Sequence, residues 1–225
     1  MTFKYESVVP WGRSYQEYVD MFGLSEVDLN KTILGCGDGP ASFNCIMNKS
    51  GKRVTSIDTI YQLNKEQIEK RINETFHVVI SQTRVNQDKF VWTKIKNVDE
   101  LGEMRMSAMR DFLDDYDAGK IEKRYLHCEL PHLPFADKQF DLSLSSHFLF
   151  LYTDNLSFDF HFEAIKEMLR VSKEARIFPL LDFNAVPSPH VSKIIDKFSS
   201  MGYCAEEVEV SYEFQKDGNK MLKIS

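Results

Sequence analysis

The stretch Lys31-Thr32-Ile33-Leu34-Gly35-Cys36-Gly37-Asp38-Gly39-Pro40 constrains the fold more than any other: an apolar run breaks into three glycines on alternate positions. A β-prone segment ending this way predicts a strand that runs into a tight loop. There the missing Cβ atoms let backbone and ligand approach and permit φ > 0. A strand, then Gly-x-Gly-x-Gly, then a helix is the pattern of a nucleotide or nucleoside cradle. Taken alone, the same pattern also describes an ordinary surface turn.

A second feature lies about twenty residues on. Arg53-Val54-Thr55-Ser56-Ile57 is a short β-rich run that ends at Asp58. In a right-handed βαβ unit this puts Asp58 at the carboxyl end of the next strand, where its carboxylate can accept hydrogen bonds from both ribose hydroxyls. Up to this point a dinucleotide-binding dehydrogenase and an S-adenosylmethionine (SAM) methyltransferase explain the chain equally well.

The third feature separates them. The segment from Glu129-Leu130-Pro131-His132-Leu133-Pro134-Phe135 through Phe140-Asp141 to Ser145-Ser146-His147 resembles the acidic-x-x-x-Leu-Pro-Phe-x-x-x-x-Phe-Asp-hydrophobic pattern of class I SAM-dependent methyltransferases. The resemblance spans roughly Asp28 to the C-terminus, with its sharp motifs in three short windows. It implies a Rossmann-like α/β fold with a seven-stranded, mostly parallel sheet, an antiparallel last strand and helices on both faces. It further implies that Gly35, Gly37 and Gly39 pass close to the methionine and ribose part of SAM and that Asp58 takes the ribose hydroxyls. Glu129, where the family more often has Asp, would accept from the adenine amino group, and Leu130 would pack on the adenine. Ser145, Ser146 and His147 would face the cofactor's methionine end or the substrate. One position departs from the pattern: the residue two before the first glycine, usually acidic, is Ile33. Either another group replaces that acid or cofactor binding is weakened or lost. Asp38 is the nearest replacement, although a helix N-cap would explain it as well.

Composition bounds the alternatives. A chain of 225 residues with 43% hydrophobic content buries one good core and is short for two full domains, so a single domain over 1–225 is expected. A formal charge of −6 argues against a general nucleic-acid binder. The chain has no run of eighteen apolar residues and no apolar signal core, which predicts a cytoplasmic protein with no membrane partner. Cys36, Cys45, Cys128 and Cys204 show no CxxC pairing and read as reduced, mostly buried thiols. His127-Cys128-Glu129 and His132 do not form a metal set: consecutive strand residues alternate faces, and Pro131 rules out a helix. There is no Gly-x-Ser-x-Gly elbow and no P-loop.

Periodicity predicts helices at about 14–22, 40–49, 157–172 and 190–201, and strands at 31–35, 53–57, 124–128, 140–146 and 175–181. Ala205 to Phe214 and Lys220 to Ile224, separated by the turn signal Lys216-Asp217-Gly218-Asn219, close the chain as two strands. Asp58 and Glu129 lie 71 positions apart, whereas a βαβ unit takes about 30 residues. The surplus, 62–122, reads as a helical insertion with apolar positions at Leu101, Met104, Met109, Phe112, Leu113 and Tyr116. Leaving from the ligand-bearing strand ends, it is expected to cap the site; a helical support for a homodimer contact, or plain core extension, is the other reading. The Met104, Met106 and Met109 stripe reads as packing. Residues 1–27 form a helical lead-in. In it Ser14 and Glu17 suit a capping box, and Arg13 is a candidate for the SAM carboxylate.

His147 is the candidate general base, with His161 a second choice and Asp182 a further candidate for substrate contact. The reading that follows is a SAM-dependent methyltransferase of a small-molecule acceptor. A catalytically degenerate SAM- or nucleoside-binding sensor is the alternative that Ile33 favours, and a nicotinamide-dependent oxidoreductase ranks third.

Overall fold

The computed structural model describes residues 9–225, so positions 1–8 of the expected lead-in lie outside the described residues. Its first helix, α1 (Tyr15–Phe22), starts at the expected capping box. Ser14 Oγ accepts from the Glu17 N–H, the Glu17 side chain accepts from the Ser14 N–H, and Gly23 ends the helix at φ 53°.

The strands are β1 (Ile33–Cys36), β2 (Val54–Ile57), β3 (Tyr125–Leu126), β4 (Phe140–Ser146), β5 (Ser172–Phe178), β6 (Ala205–Glu209) and β7 (Lys220–Ile224). They form one sheet in the order β3-β2-β1-β4-β5-β7-β6. The first five are parallel, and β7 lies antiparallel between β5 and β6. This is the Rossmann-like class I methyltransferase fold that the resemblance implies. β1 is the middle of the five parallel strands, with Gly35 opposite Ser56 on one side and Leu144 on the other, so the glycine loop leaves from the middle of the parallel part of the sheet. The chain order reverses beside β1, where open α/β sheets bind ligands.

Side chains alternate across β1. Leu34 and Cys36 point into a core built with α5 (Phe158–Val171) and α6 (Val191–Ser200). Ile33 points the other way, into a core with α1 and α2 (Phe43–Lys49), among Tyr18, Phe22, Phe43 and Leu144. Position 33 is therefore sealed core, which accounts for an apolar residue there.

The insertion forms α3 (Lys65–Val85) and α4 (Val98–Ile121), and α3 opens with its own capping box, Asn64 with Gln67. The two helices pack on each other, and α4 also packs on α2 and β3. Tyr61, Phe112, Tyr116 and Tyr125 form the aromatic cluster that joins them to the sheet, with ring centroids 5.1–6.0 Å apart. Met109 is fully buried in this cluster and Met106 packs against it, so these two members of the methionine stripe are packing, while Met104 is half-buried outside the cluster.

Three strands differ most from their expected spans, beyond shifts of one or two residues at the ends of β1 and β2. The strand expected at 124–128 pairs only at Tyr125 and Leu126, because the chain then turns back on itself with Glu129 opposite His132. The strand expected at 175–181 is shifted to Ser172–Phe178, ending where Pro179 has no N–H to give. The strand expected from Ala205 to Phe214 stops at Glu209. Phe214 leaves the sheet to stack on Phe90 of the insertion at 4.7 Å, its carbonyl accepting from the Val91 N–H at 2.8 Å. Among the described residues no helix is long and apolar enough to cross a membrane. All four cysteines are free thiols, two of them buried.

Candidate functional site

A cavity opens at the carboxyl ends of the parallel strands. It offers about 170 Å³ to the centre of a water molecule, where one water needs ~10–15 Å³, so the space suits a small ligand. Its floor is the glycine loop and Asp58, and one wall carries Ser146, His147 and Phe178. The insertion contributes Arg71, Thr83 and Arg105, and the lead-in contributes Trp11 and Arg13.

The lead-in is pinned across the loop: the Ser42 N–H donates to the Arg13 carbonyl at 3.0 Å. A Cβ at Gly12 would come within 2.0 Å of the Pro40 carbonyl oxygen, so only glycine lets the two segments cross.

The three loop glycines serve different ends. The space beside Gly35 is filled by Asp38, whose carboxylate would lie 2.2 Å from an added Cβ; Gly35 makes room for a side chain of the protein and does not line the cavity. Gly37 (φ 65°) lies against the Phe148 ring. A Cβ added at Gly39 (φ 53°) would meet nothing nearer than the Asp58 carboxylate at 4.0 Å, so that side of the residue faces open space. The Gly39 N–H donates to Asp58 Oδ2 at 2.9 Å, and the Ile60 N–H donates to Oδ1 at 2.8 Å. Asp58 thus locks the loop to the end of β2 and keeps lone pairs for further donors. Burial raises its carboxyl above the usual range, against the pull of these backbone donors.

Asp38 accepts from the Tyr18 hydroxyl at 2.6 Å and the Ser56 hydroxyl at 2.5 Å. Burial lifts its pKa to about 6 although both hydroxyls favour the charged form. It is not a helix cap: α2 begins after Ser42.

His147 follows β4 with φ 52°, a strained value for a residue with a Cβ. Its N–H donates to the Phe178 carbonyl at 2.6 Å, and its Nδ1 sits 2.9 Å from Ser146 Oγ. Burial, then the charges of Arg13 and Arg105, hold its pKa well below the ordinary histidine value, so the ring is neutral at physiological pH.

Arg13 lines the cavity, anchored by Nη1 to the Trp11 carbonyl at 2.7 Å. Burial and the nearby Arg105 lower its pKa to about 10.

Several expected residues sit elsewhere. Glu129 is exposed and Leu130 is in the core on the α5 side; neither lines the cavity. The Leu-Pro-Phe block is tied down on α5: Glu167 accepts from the Leu133 N–H at 2.8 Å, and Arg170 donates to the Leu133 and Phe135 carbonyls. Ser145 is buried on the opposite face of β4, its hydroxyl without a partner among the described residues. His161 is buried in α5, stacked on Phe150. The Asp182 carboxylate closes a tight turn, accepting from the Asn184 and Val186 N–H groups. Among the described residues no cluster of His, Cys, Asp or Glu could hold a metal ion.

One buried group has no counterpart among the expected residues. Arg105 of α4 donates from Nη1 to Glu17 at 2.5 Å, and the Tyr212 hydroxyl donates to the other Glu17 oxygen at 2.8 Å. Burial alone would raise Glu17, but Arg105 holds it at about 2. The sequence does carry a signal: Arg105 falls in register with Leu101, Ala108, Met109 and Phe112, a charged residue inside an apolar helical stripe.

No family model matches the chain. The uncharacterized protein MJ0045 of Methanocaldococcus jannaschii is 38% identical over 214 residues, covering 95% of this chain and 94% of that one. The chain belongs to the MJ0045 family.

Solved structures similar to this family member include a SAM-dependent methyltransferase from Aquifex aeolicus, at 15% identity and TM-score 0.44 over 93% of this chain and 87% of that one. Another is magnesium protoporphyrin IX methyltransferase from Synechocystis PCC 6803, at 9% identity and TM-score 0.48 over 93% of this chain and 76% of that one. Likenesses at this level add nothing to the strand order, which defines the fold by itself.

Proposed function

We propose that the protein is a SAM-dependent methyltransferase acting on a small-molecule acceptor. The observation that carries the reading is Asp58: a carboxylate at the end of β2, holding the Gly39 N–H, beside open space above a glycine that nothing in the protein fills. The residues present fit the ribose and amino-acid parts of SAM. Asp58 keeps acceptor capacity for the ribose hydroxyls, and the buried Nε of Arg13 has no partner among the described residues and suits the carboxylate.

SAM, when bound, supplies a methyl group already activated by the sulfonium. What remains for the chain is alignment, exclusion of water and management of a proton. The lead-in across the loop and the pair α3–α4 act as the cap that keeps water from the cavity. His147 is the candidate base. In the tautomer whose Nδ1–H donates to Ser146 Oγ, its Nε2 offers a lone pair to an acceptor that must lose a proton. An acceptor that is already deprotonated needs no such help.

A second reading, a SAM- or nucleoside-binding relative without transfer activity, is favoured by Ile33 and by the Phe148 ring lying against Gly37.

Calorimetric titration with S-adenosylhomocysteine and SAM tests the cofactor site. Micromolar binding to the wild type and at least a roughly tenfold loss in Asp58→Ala, about 1.4 kcal/mol or more, are expected. No binding to the wild type defeats the methyltransferase reading and leaves the degenerate relative; NAD(P) binding in its place would support the oxidoreductase. Binding without methyl transfer across a panel of acceptors would favour the second.

A further inference from the structure

Arg105 is completely buried, and its donors are only partly used. Nη1 serves Glu17, while Nε and Nη2 find no partner among the described residues. Those two donors lie on one edge of the guanidinium, the edge that grips a carboxylate or phosphate side-on with two parallel bonds. Arginine cannot shed the need for partners by losing its proton. Arg13 stands close enough for Arg105 to depress its pKa, and it too has a buried Nε without a partner among the described residues.

The local charge does not balance. Two guanidinium groups face one carboxylate, Glu17. Of the other groups around them, His147 is neutral, the Tyr18 and Tyr212 phenols are pushed up by burial, and the Asp38 carboxylate is hydrogen-bonded to Tyr18 and Ser56 and not to either guanidinium. All of these residues line the cavity except Glu17 and Ser56. An unmatched positive charge at a buried cavity wall is costly until an anion joins it.

We propose that the free edge of Arg105, backed by Arg13, is an oxoanion site, and that the methyl acceptor is a small molecule whose carboxylate or phosphate docks there. The word acceptor rests on the methyl-transfer reading; the oxoanion site rests on the unpartnered donors alone. The cofactor's own carboxylate is the other source of the same chemistry.

The test is calorimetric titration of the full chain with succinate and, separately, inorganic phosphate, each with and without saturating S-adenosylhomocysteine. Arg105→Lys keeps a positive charge beside Glu17 but has no planar edge. At least one oxoanion is expected to bind the wild type equally well with and without S-adenosylhomocysteine. In Arg105→Lys its affinity should fall about tenfold or more, while that of S-adenosylhomocysteine stays within about twofold. The proposal is overturned if neither oxoanion binds the wild type or if Arg105→Lys leaves binding unchanged. It is also overturned if the oxoanion competes with S-adenosylhomocysteine, which would assign the edge to the cofactor. Arg105-dependent oxoanion binding with no S-adenosylhomocysteine binding would keep the site and defeat the methyl-transfer reading. Should Arg105→Lys not fold, the Glu17→Gln/Arg105→Gln double variant removes both charges of the pair, and the same loss is expected of it.

Discussion

A carboxyl group under Gly35, reached by the hydroxyls of Tyr18 and Ser56, gives Asp38 a pKa of about 6 in the folded chain, against an ordinary 3.8. Its folded form therefore prefers to keep the proton. The stability this brings is fully present below about 3.8 and is lost as pH rises through about 6, on the order of 3 kcal/mol in all. Asp38→Asn should gain stability relative to the wild type between pH 4 and pH 8 by an amount of that order, read from urea unfolding at the two pH values. A difference that does not change with pH would show an ordinary carboxylate. Glu17 has the opposite sign. Held at about 2 by Arg105 after burial is overcome, against 4.5 unpaired, it stabilises the fold above 4.5 and loses that contribution as pH falls toward 2. The sequence discloses little of this. Glu17 is fully explained as a capping-box residue, and nothing local in the chain says that the same carboxylate also receives Arg105 and Tyr212. Burial and partners set these charges, and both come from segments far away in sequence.

Among the elements, the helical insertion was the most legible, because apolar residues at helical spacing continue for turn after turn; its caps, Asn64 and Asn97, come from the structure. What it packs against could not be read. Phe112 turns out to hold Tyr61, Tyr116 and Tyr125 together at the edge of the sheet. Phe112→Ala is expected to cost about 3–5 kcal/mol by leaving a cavity in that cluster, measured as a shift in urea midpoint at unchanged m-value. A cost under about 1 kcal/mol would mean that α4 closes over the gap. The edge strands were the least legible. β3 keeps only two residues because the chain turns back on itself after Leu126, with Glu129 opposite His132, and β6 gives up Phe214 to the insertion. Those outcomes depend on pairing partners, which periodicity does not encode. The Leu-Pro-Phe block identified the fold for a reason unrelated to the cavity: it anchors the turn after β3 onto α5.

For the molecule as a whole, the sheet order and the placement of the cavity at the reversal beside β1 follow from topology. S-adenosylhomocysteine at about 100 times its Kd should stabilise the fold by about 2.7 kcal/mol. For a domain of this size that corresponds to a rise of roughly 5–10 °C in Tm, followed by calorimetry, and Asp58→Ala should show little of it. A wild-type Tm that does not move would contradict cofactor binding to the native state. The joint of Glu17, Arg105 and Tyr212 adds a constraint of another kind. Its first and last members are 195 positions apart, so as the chain is made from its N-terminus the wall carrying Arg105 cannot be completed until nearly the last strand has emerged. The binding-competent cavity is thus among the last features a growing chain acquires, and a nascent protein cut short before Tyr212 has Arg105 and Glu17 but lacks the hydroxyl that completes them.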